Sequence, residues 1–205
     1  MAGDEPPPAG WGPPAGARAA DDHARFAASF DVMAAVLNGD RLPDLLTLVA
    51  ARARAMARVP LAFIALPVAD GNTLRIEVAV GADGDRVRGL TVRRGRSMLG
   101  RAFGSRRALS ARIAADQTLS ALPSGPILIL PLDTGEDTRG VLAVLGHPGA
   151  QPFDPSTARR LLLFADMAAR LIELAEGRRA TAPTDPAGGG AHIVGPLHPP
   201  RSTQT

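Results

Sequence analysis

Hydrophobic residues follow two rhythms along this chain, and the switch between them marks out the elements. From about Asp22 to Leu37, Phe26, Phe30, Met33 and Leu37 recur at steps of four, three and four, which predicts a first helix with one apolar stripe. Asn38-Gly39 ends it. A second helix follows, with Pro43 suited to its first turn because the N–H it lacks has no partner there anyway. Leu45, Leu46, Val49, Ala53 and Met56 form its buried face, and Arg52, Arg54 and Arg58 lie toward its C-terminal half, where cations suit the helix dipole. The period then shortens to that of strands. Leu61–Leu66 is an apolar run between Pro60 and Pro67, too short for a helix. Asp70-Gly71-Asn72 is turn chemistry, and Leu74, Ile76, Val78 and Val80 alternate with Thr73, Arg75, Glu77 and Ala79. Together these segments predict an antiparallel hairpin, closed off by Gly81–Gly84.

Residues 87–92 predict a weaker strand, interrupted by Gly89. Ser97 stands as an N-cap before Met98, Leu99, Ala102 and Phe103, spaced for one face of a short helix. A short strand is expected over 108–114, and 115–125 has no period and reads as a loop over the core. The runs Pro126–Pro131 and Val141–Leu145 are apolar on both faces, so both faces must be covered; they are the expected central strands, joined by a turn over 133–138. Phe153, Asp154 and Pro155 then open a long helix that runs to Glu176, with Gly177 placed to terminate it. Leu161, Phe164, Ala168, Leu171 and Ala175 form a heptad-like seam on it, widened by Leu162, Ala165, Ala169 and Ile172. One side suits the sheet and the other a second helix or a second subunit.

Composition sets the limits of this core. Both ends are rich in Pro, Gly and Ala and poor in large apolar groups, so residues 1–21 and 178–205 are expected to be disordered tails. Between them lie a lead-in helix over 22–39 and one domain over 40–177. No apolar run is long enough to span a membrane, and Asp4 and Glu5 stand where a secretory signal would be basic, so a cytoplasmic location is expected. The absence of Cys excludes disulfides, thiolate metal sites and a Cys nucleophile. Net charge is only +3, yet the pI is about 11.0, because every basic residue is Arg and there is no Lys, Tyr or Cys to titrate on the way up. The distribution says more than the sum. Nine Arg and no acid fall between Arg86 and Arg112. A solvated face is the ordinary reading of such a run; attraction of an anionic ligand or partner is the other.

Chemistry is sparse. His23 lies in the first helix, His192 and His198 in the C-terminal tail, and only His147 within the domain, with no second ligand near it in sequence. There is no phosphate loop with Lys, no His/Glu zinc motif and no Gly-x-Ser-x-Gly elbow. No catalytic residue, metal site or cofactor is evident.

The order helix, helix, hairpin, strand, short helix, strand, central hairpin, long helix resembles the GAF domain family of small-molecule sensors, over roughly residues 40 to 177. The resemblance is carried by Leu61–Leu66, by Gly95–Gly100 followed by Gly104–Leu109, by Ile129–Leu132 leading to Arg139–Val144, and by Phe153-Asp-Pro before the last helix. It is similar to GAF domains of bacterial sensor histidine kinases and related regulators. The resemblance implies an α+β fold: a five- or six-stranded antiparallel sheet with the N- and C-terminal helices on one face and a short helix and loops on the other. It also implies a ligand pocket on that second face, and dimerisation through the terminal helices. Candidate pocket residues are Phe63, Ala65, Leu99, Phe103, Ile113, Leu130 and Ala143, with the strand faces left open; Arg93, Arg94 and Arg96 form a candidate anion-binding rim, and the seam from Leu161 to Ala175 a dimer helix. The family's thiol-dependent activities, bilin attachment and methionine sulfoxide reduction, are excluded by the lack of Cys. The Asn-Lys-Phe-Asp-Glu signature of cyclic-nucleotide binders is not present, and 110–125 holds no axial His for haem. A non-catalytic sensory or regulatory domain is expected, a homodimer with an unknown small-molecule ligand or a signalling protein partner. The alternatives are a ligand-free dimeric interaction module and the sensory fragment of a histidine kinase-type regulator. Nucleic acid is disfavoured, since no aromatics interleave the Arg run.

Overall fold

The two runs that are apolar on both faces occupy the middle of an antiparallel sheet, as their composition requires. The computed structural model describes residues 15–114 and 122–181. Most of the expected loop at 115–125, and the outer parts of both expected tails, lie outside the described residues. Within them the chain runs α1 (Ala15–Leu37), α2 (Leu42–Ala57), β1 (Leu61–Pro67), β2 (Thr73–Gly81), α3 (Gly84–Val87), β3 (Thr91–Arg93), α4 (Met98–Ser105), β4 (Leu109–Ile113), β5 (Gly125–Asp133), β6 (Thr138–Leu145) and α5 (Pro155–Thr181). The described residues form one six-stranded sheet in the order β3-β2-β1-β6-β5-β4, every pairing antiparallel. Helices α2 and α5 pack on one face and α4 on the other. The fold is therefore α+β.

Period two along the strands divides the core into two clusters. Ala62, Ile64, Leu128, Leu130, Leu142 and Val144 face the helices with Leu45, Leu46, Val49, Leu161 and Phe164. Leu61, Phe63, Ala65, Ile127, Ile129, Val141 and Ala143 face the other way, with Leu99, Ala102 and Phe103 of α4.

The local signals mostly hold. Asp70 Oδ1 accepts from the backbone N–H of Asn72 and Thr73, the Asx turn expected between β1 and β2. Ser97 caps α4 by accepting from Gly100 N–H at 2.9 Å. Asp154 accepts from Thr157 N–H at 2.9 Å ahead of Pro155, the first residue of α5. Four expectations need correction. The segment over 87–92 is not one strand: α3 ends at Val87, and β3 is confined to Thr91–Arg93. The alternation in β2 does not mark one face, because the register shifts at Ile64/Ala65 and Glu77 is the extra residue of a β-bulge. Leu74 and Ile76 consequently face α4, whereas Val78 faces the helices. Helix α5 continues through Gly177 to Thr181, and α1 begins at Ala15, inside the stretch read as tail.

The first helix carries the largest surprise. It lies over α2 and α5 rather than on the sheet, as a third layer. Its buried face is Ala28, Val32, Ala35 and Val36. The stripe predicted to be its apolar face points outward: Phe26 is 53% exposed, Phe30 64%, Met33 40% and Leu37 64%. Small residues let α1 approach the groove between two helices closely, which leaves the bulky ones outside. No described helix is long and apolar enough to cross a membrane.

Candidate functional site

Six of the seven nominated pocket residues come together beneath α4. Phe63, Ala65, Leu99, Phe103, Ile113 and Ala143 belong to one buried cluster on that face of the sheet. Leu130 does not: β5 pairs Leu130 with Leu142 and Ile129 with Ala143, and Leu130 turns to the helix side. Ile129 is the β5 residue that sequence reasoning missed on the α4 face. The register with Ala143 identifies it, but an all-apolar strand carries no alternation to set its phase.

Helix α4 is held against this face by backbone contact. A Cβ on Gly100 would stand 1.9 Å from the carbonyl oxygen of Arg94, so only glycine lets the helix start this close to the preceding loop. Arg94 also lays its guanidinium over the Phe103 ring at 4.2 Å from the centroid and donates to the Gly71 carbonyl. Of the nominated anion rim, Arg94 is thus engaged, while Arg93 and Arg96 are exposed.

The other arginines of the run divide in the same way. Arg106 ties the end of α4 to the β5–β6 hairpin, donating to the carbonyls of Gly135 and Glu136 and lying 3.8 Å from Asp133. Arg112 donates to the Ala150 carbonyl at 2.6 Å. Arg88, Arg93, Arg96, Arg101 and Arg107 have no ion-pair partner among the described residues and are exposed. They follow the chain from the end of α3 past the β3 edge and over α4 to β4.

On the opposite side, the nominated dimer seam of α5 is largely inside the domain. Leu161, Phe164, Ala168 and Ala175 are buried in the helix-side core and Leu171 is half-buried, so no partner can meet the seam as a whole. The seam positions are those that meet the sheet, which is why they repeat at helical spacing. The exposed apolar positions of α5 are Leu163 and Leu174, with half-buried Met167 between them on the same stripe. Arg178 near the end of α5 donates to the Val36 carbonyl near the end of α1, so these two ends lie together. Arg139 at the start of β6 pairs with Glu173 at 2.8 Å and Glu176 at 3.3 Å, fastening α5 to the sheet. The Glu173 hydrogen bond raises the pKa of Arg139 against the opposing effect of its burial.

Among the described residues no group of three or more His, Asp or Glu could hold a metal ion. His147 lines a cleft with Arg58, Gln151, Asp154 and Thr157.

The family profile of the GAF domain matches residues 44–174, more than half of the chain. The chain belongs to the GAF domain family. Solved structures agree with this. The second GAF domain of DevS from Mycobacterium smegmatis is 26% identical over 68% of this chain and 99% of its own, with a TM-score of 0.62. The GAF domain of an Acinetobacter phosphoenolpyruvate-protein phosphotransferase shares the fold at 15% identity, covering 74% of this chain and 94% of its own, TM-score 0.60. The free methionine-R-sulfoxide reductase of Neisseria meningitidis, solved with its substrate, shares it at 16%, covering 75% and 91%, TM-score 0.61. A search of curated proteins finds no match. GAF domains are generally sensory or regulatory domains.

Proposed function

We propose that this GAF domain is a cytoplasmic, non-catalytic regulatory module that acts as a homodimer paired through α1 and the outer face of α5. The observation that carries the reading is the exposed stripe Phe26, Phe30, Met33 and Leu37 on α1. Four large apolar side chains in a 4-3-4 repeat outside a finished core match a helix-pairing seam, and contiguous exposed patches of this kind mark interaction sites. On α5, Leu163, Met167 and Leu174 fall at steps of four and seven along one stripe, with Arg170 at the position that would complete a 4-3-4 repeat. Sedimentation equilibrium of the chain tests it. The expected result is a dimer at micromolar concentration that becomes a monomer on Phe30→Glu with Met33→Glu, with unchanged far-UV circular dichroism. A monomeric wild type, or a double variant that still dimerises, removes the reading.

A second reading, a small apolar ligand held under α4, is favoured by the convergence of Phe63, Ala65, Leu99, Phe103, Ile113 and Ala143 on one face. These side chains are at most 6% exposed, so a ligand there has to displace the α4 cover. Native mass spectrometry of protein taken directly from cells distinguishes the two: a co-purified molecule supports the ligand reading, and a bare chain counts against it.

A further inference from the structure

Strand β3 is an edge of the sheet: among the described residues it pairs with β2 and with no other strand. The ladder shows which of its backbone groups are taken. Ile76 N–H donates to the Leu90 carbonyl and Arg94 N–H to the Asn72 carbonyl, so Leu90 and Arg94 turn their backbone toward β2. Bonded pairs alternate in an antiparallel ladder, so Val92, opposite Leu74, does the same, while Thr91 and Arg93 turn their backbone outward. The Arg93 carbonyl accepts from the Ser97 hydroxyl at 2.8 Å. That leaves the Thr91 N–H and carbonyl and the Arg93 N–H for another strand, and both residues are exposed.

Positive charge surrounds this edge. Arg88 precedes it, Arg93 lies on it and Arg96 follows it, all three exposed and without an ion-pair partner among the described residues. Of the acids on the neighbouring segments, Asp70 is bound by Asn72 and Thr73, Glu77 by Arg75 and Asp83 by Arg86, which leaves Asp85. The two faces of β3 differ as well. Thr91 and Arg93 lie on one, and Val92, half-buried against the α4 cluster, lies on the other. The edge thus offers backbone groups in strand register, cations on one face and an apolar contact on the other.

We propose that β3 is a docking edge for an acidic, extended segment of a partner protein, which joins the sheet as a further antiparallel strand with carboxylates and apolar residues in alternation. Opposite Thr91 and Arg93 the incoming residues bond backbone to backbone. A Glu or Asp opposite Arg93 has its Cβ about 5 Å away, within reach of an ion pair. The residue between them faces Val92 and is apolar, and Arg88 and Arg96 meet further carboxylates at the two ends. Main-chain bonds supply affinity in this mode, and the alternate side chains supply specificity. A second copy of the chain is a poor occupant, because pairing β3 with itself sets arginine against arginine. A short, charged edge resists its own copy and admits its opposite. A polyphosphate backbone matches the charges but not the alternation of Arg93 with Val92. The exposed large apolar side chains are on α1 and α5, so none stands at this edge for bases to stack on. The docking edge goes beyond the dimer reading and does not depend on α1 or on the outer face of α5.

Fluorescence anisotropy of the full chain with a labelled peptide of alternating Glu and Val, Glu at both ends, tests the assignment. Binding is expected with a Kd below about 1 mM at low salt, weakening as salt is added. In the proposed register the Glu N–H groups face β3 and the Val N–H groups point away. N-methylation of the glutamates should therefore weaken binding at least about tenfold, and N-methylation of the valines by less than about threefold. Arg93→Glu, at an exposed position, should weaken the peptide about tenfold with circular dichroism unchanged, and a peptide with Lys in place of Glu should bind this variant better than the wild type. No binding of the Glu-Val peptide, glutamate N-methylation that does no more than valine N-methylation, or binding untouched by Arg93→Glu would each overturn the proposal. A DNA duplex that binds more tightly than the peptide and displaces it would overturn it in favour of nucleic acid.

Discussion

Two glycines four residues apart in α4 are under opposite constraints. Gly100 abuts the Arg94 carbonyl, while Gly104 has nothing within 4 Å of the place a Cβ would take. Gly100→Ala is therefore expected to cost about 3 kcal/mol, by pushing α4 off the preceding loop. Gly104→Ala should gain about 0.5–1 kcal/mol, by lowering the entropy of the unfolded chain and favouring the helix. Urea denaturation of both variants checks the pair. Asp154 adds a pH signature. Burial pushes its carboxyl up, but hydrogen bonds from Ser156 and Thr157 outweigh this and hold it at about 2, below the usual 3.8. A folded pKa below the unfolded one means that its stabilisation is complete above about pH 4 and disappears as the pH falls toward 2. Asp154→Asn should flatten the urea midpoint across that window, and Asp154→Ala should cost about 1 kcal/mol at neutral pH. These caps could be read from sequence because Ser97 and Asp154 act on their own neighbours. The face of Leu130 could not, since β5 is apolar on both sides and only its pairing with β6 sets the phase.

Among the elements, α1 shows where periodicity stops informing. The repeat Phe26, Phe30, Met33 and Leu37 identified a helix with an apolar stripe, and the helix is there. Which stripe is buried was decided instead by how closely α1 approaches α2 and α5, a tertiary fact that favours alanine and valine inside. Val32→Ala is accordingly expected to lower stability by about 1–3 kcal/mol, whereas Phe30→Ala should change it by less than about 0.5 kcal/mol when measured on the dissociated chain. Thermal unfolding at low protein concentration separates them. Strand β2 makes the same point through a bulge. Alternation from Leu74 to Val80 looked continuous, but Glu77 inserts one residue and reverses the face halfway. By contrast β5, β6 and the long α5 were legible, because length and composition alone demand a buried pair of strands and a covering helix.

For the whole molecule the charge is polarised. Residues 86–112 carry nine Arg and no acid, +9, so with a total of +3 the other 178 residues sum to −6. Structure sharpens what the sequence could only suggest: Arg94, Arg106 and Arg112 hold the fold together, and Arg88, Arg93, Arg96, Arg101 and Arg107 remain unneutralised on the surface. The chain should bind a sulfonate resin at neutral pH more strongly than its net charge suggests. Replacing Arg93, Arg96, Arg101 and Arg107 by Ser should shift its elution to distinctly lower salt, as a local field rather than the total sets the interaction.

The two-sided first helix also has a genetic consequence. A lesion at Val32 or Ala28 loosens the domain, and cellular proteolysis removes what does not stay folded. A lesion at Phe30 or Met33 leaves the domain folded, so it accumulates beside the normal copy. Alleles on the inner face should therefore behave as simple losses of dosage, and alleles on the outer face as abundant protein that has lost only the pairing proposed for that face.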